Sequence, residues 1–138
     1  MHEILAQRVV PVAVIEHVAD APSIARALLA GGLSTLELTL RTPAALDCIK
    51  AIRREVPEMK VGAGTVLTLD QVEAVANAGV FFAVAPGLNP RIVQHARSLG
   101  LPFYPGVMTP SDVELGLELG CHLQKFFPAS VAGGLDMI

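Results

Sequence analysis

The chain holds three lysines, and their settings differ. Lys50 is followed closely by Arg53 and Arg54, and Lys60 precedes an apolar run; both are expected to be solvated. Lys125 sits inside the segment LQKFFP, among apolar neighbours at the end of a predicted strand. Apolar surroundings disfavour an ammonium ion, so a lysine placed there can act as a neutral nucleophile near pH 7. The competing reading is a lysine whose aliphatic stem simply carries its charge out to water. A second set of polar groups alternates along one strand: Thr35, Glu37, Thr39 and Arg41, interleaved with Leu36, Leu38 and Leu40. Glu37 and Arg41 share a face, but four residues of strand separate them by roughly 13 Å. They are not expected to neutralise each other, so each needs a lysine, a ligand or water. Arg41 also reads as an exposed strand-end residue. Glu37 is harder to dismiss, because a buried carboxylate without a partner is costly.

Small residues mark the ends of neighbouring strands. Gly62-Ala63-Gly64-Thr65 closes one predicted strand, and Thr65 offers a hydroxyl there. Glycines at such a place let a ligand approach the backbone. Pro86-Gly87 and Pro105-Gly106 end two further strands and read as tight turns that can line a site. Other chemistries find less support. His2, His17, His95 and His122 show no metal-ligand spacing, so no metal is expected. No serine sits in a GxSxG elbow, no GxGxxG follows a strand, and GAGT lacks the Gly-Lys-Ser/Thr of a phosphate loop.

The elements that must hold these residues alternate. Strands are predicted over residues 9–15, 35–40, 61–64, 81–85, 102–105 and 123–127. Helices are predicted between them: 22–30, closed by Gly31-Gly32; one opened by Thr42-Pro43 and running to about Val56; one capped by Thr68 and ending at Gly79; one from Asn89-Pro90 to Gly100; and one from Thr109-Pro110 to Gly120. A sixth helix is expected to begin near the C-terminus. A repeat of roughly 20–25 residues is the βα unit of a parallel sheet. Two architectures fit, a doubly wound sheet or a (β/α)8 barrel. The polar face of residues 35–41 favours the barrel, since a central strand of an open sheet is normally apolar on both faces. About six strands and five complete helices fall short of eight units, so the expectation is an α/β fold of the TIM-barrel family, an incomplete barrel forming one domain over residues 1–138.

Bulk properties agree with a packed globular domain. Hydrophobic residues make up 52% of the chain, enough for a sizeable core, and charged residues only 17%, too few for a disordered chain. A net charge of −3 gives no reason to expect nucleic acid or an acidic membrane as partner. No apolar stretch is long enough to span a bilayer, and residues 1–7 do not read as a secretory signal, so a cytoplasmic protein is expected. Cys48 and Cys121 lie far apart and read as reduced thiols, with a disulfide as the alternative.

Taken together, LELTLRT at 36–42, VGAGTV at 61–66, APG at 85–87 and KFFPA at 125–129 closely resemble the 2-keto-3-deoxy-6-phosphogluconate (KDPG) aldolase family, which includes the 4-hydroxy-2-oxoglutarate (KHG) aldolases. The Pro105-Gly106 turn and the opening Val-Pro-Val agree. The resemblance implies a trimeric (β/α)8 barrel and a class I aldolase of Entner-Doudoroff carbohydrate metabolism that needs no metal or cofactor. Its substrates are small keto acids: KDPG, cleaved to pyruvate and glyceraldehyde 3-phosphate, or 4-hydroxy-2-oxoglutarate, cleaved to pyruvate and glyoxylate. It implies that Lys125 forms the Schiff base, Glu37 is the general acid/base and Arg41 holds the pyruvate carboxylate. It further implies that Thr65 contacts substrate, Phe127 packs beside the imine, and Pro86 and Gly87 line the site. The family's last two strands, with the loops that cradle the substrate phosphate, have no counterpart here. The chain therefore reads as a C-terminally truncated member, with an inactive scaffold as the alternative expectation.

Overall fold

The computed structural model describes residues 7–137. His2, part of the N-terminal segment discussed above, lies outside the described residues. Seven short strands alternate with five α-helices: β1 (Val12–Ala13), α1 (Ala21–Ala30), β2 (Thr35–Thr39), α2 (Ala45–Glu55), β3 (Lys60–Gly64), α3 (Leu69–Asn77), β4 (Ala83–Val84), α4 (Pro90–Ser98), β5 (Phe103–Tyr104), β6 (Gly106–Val107), α5 (Pro110–Glu118) and β7 (Lys125–Phe126). Two 3-10 turns, Val18–Asp20 and Gly134–Met137, complete the described chain. The second of these stands where a sixth helix was expected.

Every pairing is parallel, and the first five strands lie side by side in chain order. A doubly wound sheet reverses its strand order at a switch point; this sheet does not, so it is an incomplete barrel. The fifth strand changes partner midway. Its first half, β5, pairs with β4, and its second half, β6, pairs with β7. Pro105 stands at the break. It has no N–H to give to a ladder, but its carbonyl accepts from the Lys125 N–H at 2.9 Å. The expected strand at 102–105 thus becomes two, and six βα positions are filled by seven segments. The expected strand at 9–15 shrinks to Val12–Ala13.

Strand side chains alternate between faces, and the two faces differ. Leu36, Leu38, Val61, Ala63, Ala83, Ala85 and Phe103 turn outward and join the main core. The helices meet them with matching stripes. In α2, Ala45, Cys48, Ile49 and Ile52 are all buried, the i, i+3, i+4, i+7 spacing of one helix face. Cys48 and Cys121 are both free and buried, and burial raises both thiols above their ordinary range.

Helix starts follow the sequence in three cases and not in a fourth. Thr68 and Thr109 form capping boxes with Gln71 and Asp112, and the Asn89 side chain accepts from the Arg91 N–H at 3.0 Å. Thr42-Pro43 does not open a helix. α2 begins at Ala45, with Ala44 as its uncapped start. The Thr42 hydroxyl instead donates to the Ile15 carbonyl at 2.7 Å, tying the turn after β2 to the segment after β1.

The capping box of α5 makes a pH prediction. Asp112 accepts from the Thr109 and Met108 N–H groups at 2.9 and 3.1 Å. Those bonds, that to Thr109 first, lower its pKa below the ordinary 3.8. A carboxyl depressed by folding stabilises the fold above its unfolded pKa, and that contribution is lost as pH falls through the folded one. In urea titrations the advantage of the native chain over Asp112→Asn should be constant above pH 3.8 and shrink below it. An advantage independent of pH would refute this role. Thr109→Ala should cost about 1 kcal/mol with an unchanged m-value.

Candidate active site

The inward face of the sheet is built differently from the outward one. Thr35, Glu37 and Thr39 of β2 point inward, and all three are buried. In register beside them on β3 lie Lys60, Gly62 and Gly64. Phe82 and Val84 continue this face along the fourth strand, Tyr104 along β5, Gly106 along β6 and Lys125 along β7. The Phe82 and Tyr104 rings stand 5.9 Å apart, and burial raises the Tyr104 phenol above its ordinary range.

Glu37 lies at the middle of this face. Its side chain is only 8% exposed, and its Oε1 is 3.5 Å from the Nζ of Lys125. The two residues are 88 positions apart in the chain. The Lys125 side chain is 30% exposed, so it is reachable from the mouth of the barrel. The Phe127 ring centroid is 5.0 Å from the same Nζ, close enough for its π-face to favour a cation there. The backbone on both sides of Lys125 is held, with Lys125 N–H donating to Pro105 and Phe127 N–H to Val107. The Phe127–Pro128 peptide is cis.

The remaining expected site residues are not joined to this pair by hydrogen bonds. Arg41 lies beyond the end of β2, exposed, and makes no ion pair or hydrogen bond among the described residues. It is therefore free to meet a carboxylate from solution. Thr65 follows β3 directly, is half-buried, and has φ of 61°, the left-handed region. Pro86 is half-buried and Gly87 exposed, just after β4. Pro86 packs its carbonyl against the α-carbon side of Gly106, which is the residue in register with Lys125. All these positions are at the C-terminal ends of their strands, where parallel barrels carry their sites.

The other lysines are placed as surface or strand-start groups. Lys50 pairs with Asp47 at 3.1 Å on the outside of α2. Lys60 is the first residue of β3 and half-buried, less solvated than expected. It lines a crevice of about 530 Å³ with Arg97, Leu101 and Leu123, at the opposite end of the strands from the Lys125–Glu37 pair. His95 bonds Glu73 at 3.1 Å. Among the described residues no three His, Cys, Asp or Glu side chains converge as a metal site would require. No described helix is long and apolar enough to cross a membrane.

Sequence reasoning missed the part played by Gly64. A side chain built at Gly64 meets the Glu37 carboxylate itself. The signal available was the register of two adjacent parallel strands, which a single sequence does not print.

Known proteins resemble this arrangement over most of the chain. The aldolase family described as KDPG and KHG aldolase matches residues 2–138. The 2-dehydro-3-deoxy-phosphogluconate aldolase of Zymomonas mobilis subsp. mobilis is 52% identical over 130 residues, covering 94% of this chain and 62% of that protein. The KHG/KDPG aldolase of Escherichia coli K12 is 46% identical over 130 residues, covering 94% and 61%. The crystal structure of the KDPG aldolase from Legionella pneumophila, with pyruvate captured as a covalent carbinolamine intermediate, superposes with a TM-score of 0.90 at 41% identity, over 93% of this chain and 62% of that one. The chain thus spans about three fifths of the length of the relatives it matches. It belongs to the KDPG and KHG aldolase family.

Proposed function

We propose that the chain carries the pyruvate-handling machinery of a class I aldolase, with Lys125 as the Schiff-base lysine and Glu37 as its proton carrier. The observation that carries this reading is the 3.5 Å approach of the Lys125 amine to a buried carboxylate at the mouth of the strands. An amine must shed a proton before it attacks a carbonyl, and a carboxylate within reach can accept it. The lysine nitrogen then adds to the keto carbon, giving a carbinolamine. Glu37 returns the proton to the departing hydroxyl, and water leaves as the protonated imine forms.

Cleavage follows from the same pair. Glu37 takes the proton of the C4 hydroxyl, the C3–C4 bond breaks, and its electrons flow into the imine nitrogen as the aldehyde departs. The resulting enamine is protonated at C3, and water releases pyruvate and free Lys125. Arg41, exposed at the end of the same strand and without an ion pair among the described residues, suits a bidentate grip on the keto acid's carboxylate. Phe127 would cover the imine, while Thr65, Pro86 and Gly87 would bound the rest of the substrate. The names of the relatives favour 2-keto-3-deoxy-6-phosphogluconate and 4-hydroxy-2-oxoglutarate as substrates. We extend the family resemblance to a cytoplasmic homotrimer, which sedimentation of the purified chain would test.

Borohydride trapping tests the chemistry. With pyruvate present, reduction should add one pyruvyl group to the chain, mapped by mass spectrometry to Lys125 and lost in Lys125→Met. A folded chain that traps nothing at Lys125 would instead favour a scaffold without catalysis. Arg41→Ala should leave the fold intact and raise the pyruvate concentration for half-maximal trapping about 10-fold or more, the loss of one charge-assisted contact.

Thr65 gives a stability prediction. A β-branched residue in the left-handed region carries strain on the order of 1–3 kcal/mol. Thr65→Gly should therefore raise stability by about 1 kcal/mol in urea titrations while weakening pyruvate trapping. A loss of stability would show that the strain is absent.

A further inference from the structure

The inward face of β3 carries two glycines, and neither is among those with positive φ. Their lack of a side chain therefore answers a need for space. The occupants of the two spaces differ. A methyl group built on Gly62 collides with the Phe82 ring. A methyl group built on Gly64 collides with Glu37 Oε1 and lies 2.9 Å from the Cδ and Cγ of the same side chain. The strands around this contact cannot draw apart cheaply. The Gly64 carbonyl accepts from the Leu40 N–H at 2.8 Å, the Ala63 N–H donates to Phe82 at 2.9 Å, and the Glu37 N–H donates to Pro11 at 2.9 Å. Both β2 and β3 are held on both edges.

We propose that Gly64 is a positioning residue for Glu37: its missing side chain is the slot in which the carboxylate lies, and filling that slot moves the carboxylate off Lys125. This rests on the reading of Lys125 and Glu37 given above. The asymmetry between the two partners sets the outcome. The backbone at 64 belongs to a strand laddered on both edges, whereas the carboxylate is the far end of a flexible side chain. Glu37 yields first, so the fold survives while the 3.5 Å approach to Lys125 is lost. A methyl group at 106 is the contrasting case, because there the obstructing atoms are the Pro86 backbone.

The test compares the native chain with Gly64→Ala, Glu37→Ala and the double variant. A zero-length carbodiimide cross-link, read by mass spectrometry, reports whether the Glu37 carboxylate and Lys125 amine are in reach, whatever the chain does with pyruvate. Gly64→Ala should keep a urea midpoint near the native one and lower the Glu37–Lys125 cross-link at least 10-fold. The rate of borohydride-trapped pyruvate adduct should also fall at least 10-fold, with half-saturation by pyruvate little changed. In the Glu37→Ala background the same substitution should change the trapping rate less than 2-fold. An undiminished cross-link, or an equal loss of rate in both backgrounds, overturns the proposal. If Gly64→Ala does not fold, folding of the double variant supports the slot and its failure to fold overturns it. Failure of native trapping, with a Glu37–Lys125 cross-link present in the native chain and lost in Gly64→Ala, would sink the aldolase reading and leave the positioning role standing.

Discussion

A glutamate whose side chain is 8% exposed, on the inside of a parallel sheet, must be matched by a cation, and the cation here comes from 88 residues away. Four strand-to-strand steps separate β2 from β7. In a flat sheet these would place the two residues about 19 Å apart. Their side-chain atoms meet at 3.5 Å, so the contact is a measure of how far the sheet has curled. Curvature, burial of Glu37 and access to Lys125 are one condition seen from three sides. Removing the lysine would leave an unpaired charge in a covered place, a more serious loss than breaking an exposed ion pair such as Lys50–Asp47.

The two faces of the sheet divide the labour. Outside, Leu36, Leu38, Val61, Ala63 and Ala83 pack against helix stripes, and close packing there keeps the strands in register. Inside, polar side chains and glycines stand beside Phe82 and Val84. Glycines at 62, 64 and 106 lie where a ring, a carboxylate and a backbone carbonyl crowd the same face. An interior assembled this way holds the Glu37 carboxylate by shape as well as by charge. The outer core stabilises; the inner face positions. A one-residue slip of β2 would exchange the two and place leucines where the acid now stands.

The proposed chemistry uses this division. The residues assigned to proton transfer and imine formation sit on rigid ladder positions, Glu37 within β2 and Lys125 within β7. Those assigned to gripping substrate, Arg41, Thr65, Pro86 and Gly87, sit just beyond strand ends. Hydrogen-bonded strands hold two reacting groups within a fraction of an ångström more readily than loops do. Strand ends and turns, being exposed, meet the parts of a substrate that arrive from solution. The likeness to relatives is strongest in meaning here, because the stretches that match the family include both kinds of position.

Much was legible in the sequence. The alternation of strands and helices, the Thr68, Asn89 and Thr109 helix starts, the two-faced pattern of residues 35–40 and the isolation of Lys125 among apolar neighbours all follow from local rules of period, capping and polarity. These depend on neighbours within a few positions, so a single chain displays them. Where local rules failed, a distant contact had won. Thr42 bonds Ile15 instead of capping a helix, and Pro105 splits a strand because the chain changes partners there. Which cation answers Glu37, and which glycine makes room for it, depend on strand order, register and curvature. Those are set by the whole assembly of packed faces, and only the tertiary structure decided them.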